Sequence, residues 1–164
     1  MRFKPTKCNV VRFTRKKSPI TVNYTLSGQS LPETSHHKYL GVTLSSDMRW
    51  NRHIDTVSAK ANSIIGFIRR NLSNAPVNVK TQAYKSLVRP HVEYCNSVWN
   101  PHTKRNKDKI EAVQRRAARV ITNDHSRTSS VTSMLERLKL PLLQDRRQYS
   151  NHVMFKKIVL NMTD

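Results

Sequence analysis

The sequence has few acidic residues, few glycines and few cysteines. Ten Asp and Glu stand against thirty Lys and Arg in 164 residues, which leaves a formal net charge of +20. With three glycines in the chain, a glycine-rich phosphate-binding loop is excluded. Cys8 and Cys95 are too few and too far apart for a zinc set or a disulfide framework, so we expect two small core residues.

Long apolar runs are also missing. No run approaches the roughly 20 residues that a membrane-spanning helix needs. Lys4, Lys7 and Arg12 interrupt the N-terminal segment, which therefore does not form the apolar stretch of a secretory signal. We expect an intracellular protein, nuclear or cytoplasmic, that is neither secreted nor embedded in a membrane.

The positive charge is spread along the chain. A basic tail would concentrate its charge at one end, whereas residues 1–32 and residues 100–164 are both rich in Lys and Arg. This pattern predicts several elements that line one polyanion, with nucleic acid favoured over an anionic membrane. The alternative is a solvated basic surface without a partner.

Candidate catalytic and metal-binding residues are scarce. Nucleotidyl transfer on two metal ions needs closely paired carboxylates, and no Asp-Asp pair occurs. Asp47 is better explained as a turn or helix-cap residue. His36, His37 and His53 have no Cys, Asp or Glu at a ligand spacing, so we expect surface or capping histidines and no metal site.

Hydrophobic periodicity divides the chain into a β-rich start and a helical remainder. Alternation predicts strands at 7–14, 19–26 and 39–44, with a basic turn at 15–19. Helical spacing predicts helices at 54–72, 79–88, 92–98, from 104, 133–138 and 142–161, with Pro90 ending or kinking the second. The expected fold class is α+β, with a small antiparallel sheet edge followed by a mainly α-helical part.

Six short strings carry a family resemblance. They read KYLGV at 38–42, MRWNRHI at 48–54, LVRPHVEY at 87–94, VWNP at 98–101, EAVQRRA at 111–117 and LKLPLLQDRR at 138–147. In this order and spacing they resemble the stretch that follows the active site in the reverse transcriptases of non-LTR (LINE, jockey-like) retrotransposons. The resemblance extends from residue 1 to about residue 160.

The resemblance assigns a part of the polymerase to each segment. Residues 1–46 match the end of the palm with its primer grip, 47–100 the thumb, and 101–164 a basic helical extension. In the family the aromatic-Leu-Gly string, here Tyr39, Leu40 and Gly41, grips the primer strand. A glycine there lets the backbone approach a phosphodiester closely.

Basic residues are the other nucleic-acid contacts that the resemblance implies. Lys7 matches the lysine of polymerase motif D, which lies near the leaving pyrophosphate. Phosphate contacts are expected from the thumb and the extension, at Arg52, Lys60, Arg69, Arg70, Arg115, Arg116 and Arg119. Trp50 and Trp99 could stack on bases, but their apolar neighbours favour core packing.

The catalytic aspartates of the family precede the point that matches residue 1. Mg²⁺ would bind there in the parent enzyme, so we expect no cofactor and no catalytic residue in this chain, and Lys7 would act only together with the palm. The isolated chain is expected to be inactive as a polymerase. Its expected partners are an RNA–DNA primer-template or RNA, and the rest of the polymerase, but no membrane and no small-molecule substrate.

Two other functions remain open from the sequence. The chain could be a domesticated basic module that binds RNA or chromatin, or a helical fragment that binds a partner protein while its charge is incidental. Nucleic-acid affinity that falls steeply as salt rises separates the first of these from the second, because phosphate binding releases counterions.

Overall fold

The computed structural model describes residues 3–14 and 16–162, which form two compact units. One unit ends at His53 and the other begins at Ile54. Short antiparallel hairpins lie in the first unit and helices make up the second, so the predicted α+β class is confirmed. The proposed subdivision at residues 46 and 100 stays a prediction.

The N-terminal unit contains two β-hairpins. Their strands are β1 (Thr25–Leu26) paired with β2 (Gln29–Ser30), and β3 (His36–Tyr39) paired with β4 (Val42–Ser45). Leu40 and Gly41 form the two-residue turn of the second hairpin, with φ angles of 46° and 85°. Positive φ at both positions is the pattern of a type I′ turn, whose twist matches that of the paired strands.

The three strands predicted from alternation are wrong in extent. Residues 7–14 form no strand, because Pro5–Lys7 is a 3₁₀ turn and Val10 makes one isolated bridge to Glu33. Within 19–26, only Thr25–Leu26 pairs, and the turn at Leu40 interrupts the strand predicted at 39–44. Alternation indicates extended backbone, whereas a strand also needs a partner for its N–H and C=O groups. Arg15, in the predicted basic turn, lies outside the described residues.

The helices follow the predicted periodicity closely. They are α1 (Asn51–Asn71), α2 (Val77–Ala83), α3 (Arg89–Glu93), α4 (Asn96–Trp99), α5 (Lys104–Thr122), α6 (Val131–Arg137) and α7 (Leu143–Val159). The hydroxyl of Thr103 accepts the Asn106 N–H at 3.4 Å and begins α5, and Asn123 ends this helix with a φ of 54°. Within the described residues, no helix has the length and apolarity that crossing a membrane requires.

A π-helical segment, Tyr84–Val88, joins α2 to α3. Pro90 follows in the first turn of α3 and has no N–H to donate to the preceding turn. The wider π turn accommodates this missing donor while the chain remains helical. Of the two outcomes predicted for Pro90, an end of the helix is not observed, since the helical backbone continues to Glu93, and a kink stays a prediction.

Apolar stripes of the helices form the core of the second unit. Its buried side chains include Ile54, Ala61, Ile65 and Ile68 from α1, Tyr84, Val88, Val92 and Trp99 from the middle helices, Ile110, Val113, Ala117 and Ile121 from α5, and Leu135, Leu138, Leu140 and Leu143 near the C-terminus. Helix α5 contacts α2, α6 and α7, which makes it the central element of this unit. Beyond residue 152 every described side chain of α7 is exposed.

Candidate nucleic-acid interface

A groove of about 570 Å³ lies between α1 and α5. Its lining consists of Asn62, Ile65, Gly66 and Arg69 from α1, Arg115, Arg116, Arg119 and Val120 from α5, and His125 from the loop that follows. Among these lining residues, four are arginines and none is acidic. We call this feature the arginine groove.

The helical period of α5 places its arginines on the groove side. Ala117 and Ile121 face the core, so Arg115, Arg116 and Arg119 project from the opposite side of the same helix. Arg115 and Arg116 are exposed and have no ion pair with another described residue. Their charges are therefore available to an anionic ligand.

Arg119 is fixed more firmly than its neighbours. It is half-buried, and its Nη1 donates a hydrogen bond to the backbone oxygen of Ser126 at 2.7 Å. Asp124 lies nearby, and its pKa is lowered by the Ser129 hydroxyl, by the Ser126 N–H and then by the charge of Arg119. The loop after α5 thus holds one arginine of the groove in place.

The floor of the arginine groove contains apolar side chains and one glycine. Ile65 and Val120 supply the apolar surface, and Gly66 lies in the middle of α1. A Cβ atom at Gly66 would meet only the Nη1 atom of Arg70, at 3.4 Å. Arg70 therefore reaches the edge of the groove, although it does not line it.

Buried polar side chains of α5 hold the wall of the groove against α7. The carboxylate of Glu111 accepts the backbone N–H groups of Leu143 at 3.3 Å and of Gln144 at 2.7 Å. These are free N–H groups of the first turn of α7, so Glu111 caps that helix from a distance. This capping gives the EAVQRRA string a structural role.

Gln114 from the same string links two further elements. Its Oε1 accepts the Tyr84 hydroxyl at 2.8 Å, and its Nε2 donates to the Pro141 carbonyl at 2.8 Å. Burial raises the pKa of Tyr84, and the nearby Glu93 carboxylate raises it further, so this hydroxyl remains a donor. The amide therefore connects the π segment with the chain before α7.

The two arginines at the end of the LKLPLLQDRR string form ion pairs inside the helical unit. Arg146 makes a two-pronged pair with Glu93, which raises the pKa of the guanidinium. Arg147 is 1% exposed and donates to Glu111 at 3.4 Å. Burial lowers the pKa of Arg147, and the Glu111 charge opposes that effect.

Two other cations predicted to contact phosphate, Lys60 and Arg52, do not line the arginine groove. Lys60 is exposed on α1, and its charge adds to the burial that lowers the pKa of His91. Arg52 is exposed in the first turn of α1 and contacts the His36 ring at 3.0 Å within the N-terminal unit. Of the seven cations predicted to contact phosphate, the structure brings Arg69, Arg115, Arg116 and Arg119 together.

The predicted primer-grip residues form the tip of the β3–β4 hairpin. Tyr39 is 62% exposed and Leu40 is 72% exposed, and Gly41 completes the turn between them and β4. Lys7 is exposed at the end of the 3₁₀ turn. Their role in nucleic-acid binding stays a prediction.

The remaining candidates have structural surroundings. Trp99 is fully buried and donates from Nε1 to the Tyr94 carbonyl at 2.7 Å, while Trp50 packs edge-on against His53. Asp47 accepts the Arg49 N–H at 3.0 Å, as expected of a turn residue. In the part of the chain that the structure describes, no cluster of three His, Cys, Asp or Glu side chains could hold a metal ion.

Cys8 and Cys95 were predicted to be small core residues. Both are free thiols that are half-buried, so neither lies in the core proper. Cys95 has a φ of 51° at the junction between α3 and α4, a conformation imposed by the turn between two helices.

Three buried polar residues that hold the α5 wall of the groove in place were not predicted from the sequence. Glu111, Gln114 and Arg147 are polar side chains on helices whose apolar stripes did not include them. A buried polar side chain needs a hydrogen-bonding partner, and these partners lie 27 to 36 residues away along the chain. Only the identity of two strings pointed toward them: EAVQRRA, which contains Glu111 and Gln114, and LKLPLLQDRR, which ends at Arg147.

Comparison with known proteins identifies transposon polymerases as relatives. The chain is 29% identical over 127 residues to the Drosophila melanogaster "Probable RNA-directed DNA polymerase from transposon BS", which covers 75% of this chain and 14% of the relative. It is 24% identical over 120 residues to the "Probable RNA-directed DNA polymerase from transposon X-element" of the same organism, covering 71% and 13%. No protein-family model and no solved structure gives a significant match.

The similarity therefore extends over most of this chain and a small fraction of each relative. It confirms the resemblance to transposon reverse transcriptases at that level. The polymerase activity named for these relatives is a property of those proteins. For this chain a role in that activity is a proposal, which is argued below.

Proposed function

We propose that this chain is the part of a non-LTR, jockey-like retrotransposon reverse transcriptase that follows the catalytic strand, and that it holds the primer-template through the arginine groove. The observation that carries the proposal is the convergence of Arg69, Arg115, Arg116 and Arg119 on one groove without an acidic lining residue. Such a groove binds phosphates through charge, without reading base sequence.

The sequence similarity to transposon polymerases is a second, independent observation that supports this proposal. In this proposal the Tyr39-Leu40-Gly41 hairpin tip and Arg52 contact the primer strand, and Lys7 lies where motif D would act. Catalysis and Mg²⁺ binding belong to aspartates of the palm. The chain itself positions the primer-template. In this proposal it acts inside the cell, in the nucleus or cytoplasm.

The test compares two charge-matched triple variants in a salt titration. Arg69→Gln, Arg115→Gln and Arg116→Gln remove the three exposed arginines of the groove. The control removes three exposed cations elsewhere in the helical unit, by Arg105→Gln, Lys156→Gln and Lys157→Gln. Fluorescence anisotropy then measures the affinity for an RNA–DNA hybrid duplex at increasing salt.

The groove variant should lose affinity and reduce the slope of log K against log salt by about 2–3, since each phosphate contact contributes about 0.9 to that slope for a duplex. The control should stay close to the wild type. An equal loss of affinity in both variants would refute binding through the arginine groove. Binding would then depend only on positive charge spread over the surface.

A higher affinity of the chain for the hybrid duplex than for single strands would favour a thumb-like role over that of a general RNA or chromatin module, because a thumb fits an A-like duplex. Affinity that does not respond to salt would favour the protein-interaction alternative. The observation behind that alternative is the exposed apolar surface of α7, where Tyr149 is 73% and Phe155 68% exposed.

A further inference from the structure

The side chain of Asn62 has an unusual position in the arginine groove. Its Oδ1 atom is shielded from solvent and accepts no hydrogen bond from any described residue, although Asn62 lines the groove. A carboxamide oxygen left without a donor away from water is unfavourable, so such atoms are rare in folded proteins. The four arginines of the groove are donors, yet none of them donates to this oxygen.

The chemistry of a nucleic-acid backbone narrows the group that could pair with this oxygen. Phosphodiester and deoxyribose oxygens are acceptors, so a DNA backbone has no donor to offer. The ribose 2′-hydroxyl is both donor and acceptor and distinguishes RNA from DNA. A strand whose phosphates contact the arginines would therefore offer the Asn62 oxygen a donor only if its sugars are riboses.

Gly66 gives such a strand access to this part of the groove. It lies one helical turn after Asn62 on α1 and also lines the groove. Outside its chain neighbours and the nearby helix backbone, only the flexible Arg70 side chain comes within 4 Å of the place of its missing Cβ, so packing does not require glycine here. Glycine in a helix interior is destabilising relative to alanine, and a close approach by a ligand backbone is one use of that position.

The Asn62 carboxamide can also turn toward the ligand. The torsion about its Cβ–Cγ bond is broad, so the amide plane can rotate toward a ligand in the groove without a change in the helix.

We propose that Asn62 reads the ribose 2′-hydroxyl of an RNA strand lying in the arginine groove, at the point where Gly66 lets the strand approach α1. This inference rests on the proposed function, because it takes the phosphate contacts of the groove as given. It assigns the groove to the RNA strand of a hybrid and makes Asn62 a specificity-determining residue.

The test uses sugar-modified strands and one isosteric variant. Hybrid duplexes are made with the same sequence in which the RNA strand carries either 2′-hydroxyl or 2′-fluoro groups, since fluorine keeps an A-like duplex but removes the donor. Their affinities are measured with the wild type, with Asn62→Leu, and with Ser63→Ala as control, because Ser63 is exposed and does not line the groove.

The wild type and the Ser63→Ala variant should bind the 2′-hydroxyl duplex roughly three- to tenfold more tightly than the 2′-fluoro duplex, the range expected of one or two hydrogen bonds. Asn62→Leu should bind both duplexes equally while its salt dependence stays that of the wild type. Thermal melting checks that this variant folds; Asn62→Asp, measured in parallel, keeps a carboxylate acceptor and should restore a preference for the hydroxyl.

Two results would overturn the inference while leaving the proposed function intact. One is a wild type that does not distinguish the two duplexes but still loses affinity with the arginine variants. The other is an Asn62→Leu variant that keeps the full preference. Loss of salt-dependent binding to every duplex would instead refute the proposed function itself.

Discussion

The carboxylate of Glu111 accepts a hydrogen bond from the backbone N–H of Gln144 at 2.7 Å, across 33 residues of sequence. Glu111 lies in the middle of α5 and Gln144 in the first turn of α7. A negative charge at a helix N-terminus is favourable because it meets the positive end of the helix dipole and the free N–H groups there. This contact couples the wall of the arginine groove to the C-terminal helix.

Replacing Glu111 should destabilise the helical unit strongly. Glu111→Ala removes the cap of α7 and leaves Arg147, 1% exposed, without its carboxylate partner. An uncompensated buried charge costs about 3–5 kcal/mol. Chemical denaturation of Glu111→Ala should show that loss, whereas the exposed Glu136→Gln control should stay within about 0.5 kcal/mol of the wild type. Similar midpoints for both variants would argue against the capping role.

Removing the Tyr84 hydroxyl should destabilise the unit moderately. Tyr84→Phe leaves the Oε1 atom of the buried Gln114 without its donor, and an unsatisfied buried acceptor costs about 1–3 kcal/mol. Tyr149→Phe is the matched control, since Tyr149 is 73% exposed. A urea midpoint for Tyr84→Phe that matches the control would show that the hydrogen bond contributes little.

Stability should fall when the pH drops below about 6.5, the ordinary pKa of histidine. Burial and the Lys38 charge lower the pKa of His53, whose Nδ1 accepts the Thr43 N–H at 3.2 Å. The unfolded chain then takes up a proton before the folded one does, so the contribution of neutral His53 is complete above the unfolded pKa and is lost as pH falls through the folded pKa.

His53→Gln should make that decline shallower, because the titrating group is gone. His102→Gln, at an exposed position, should leave it unchanged. Thermal melts between pH 7.5 and pH 5 would measure both slopes. A steeper decline for His53→Gln would contradict the direction of the shift.

Gly66→Ala should raise stability and lower nucleic-acid affinity at the same time. Alanine in a helix interior is better than glycine by about 0.5–1 kcal/mol, and a Cβ here would touch only the end of Arg70. The same methyl group would occupy the floor of the arginine groove. Differential scanning calorimetry should therefore show a higher melting temperature, while fluorescence anisotropy should show a weaker affinity for the duplex. Unchanged affinity would mean that no ligand comes close to this position.

Leu40→Asn should stabilise the β3–β4 hairpin by about 1 kcal/mol. Leu40 has a φ of 46°, and Asn tolerates the left-handed region better than Leu does. Hydrogen exchange of the Thr43 amide and its neighbours would report the change. Gly41→Ala is the opposing variant, since a φ of 85° strains alanine, and faster exchange is expected for it.

Hydrophobic periodicity was sufficient to predict the bounds of the helices, but it was insufficient to predict those of the strands. Each helix satisfies its backbone hydrogen bonds locally, so α1 and α7 begin and end within a few residues of the predicted bounds, and α5 begins at the predicted residue. A strand takes its bonds from a distant segment. Ile20, Val22 and Tyr24 alternate as a strand would, yet they are 77%, 52% and 52% exposed and lie outside the paired residues of the two hairpins.

The sequence by itself determined the helical bounds, the basic character and the similarity to transposon polymerases, because local periodicity, charge and string identity are properties of neighbouring residues. Only the tertiary structure decided which cations act together. Arg69 and Arg116 are 47 positions apart in the sequence and share one groove, while Lys60 lies apart from it beside His91. Glu111 and Gln114 hold α5 to α7 and to the π segment, and this packing sets the position of the α5 arginines, since buried polar side chains must find their partners wherever the chain places them.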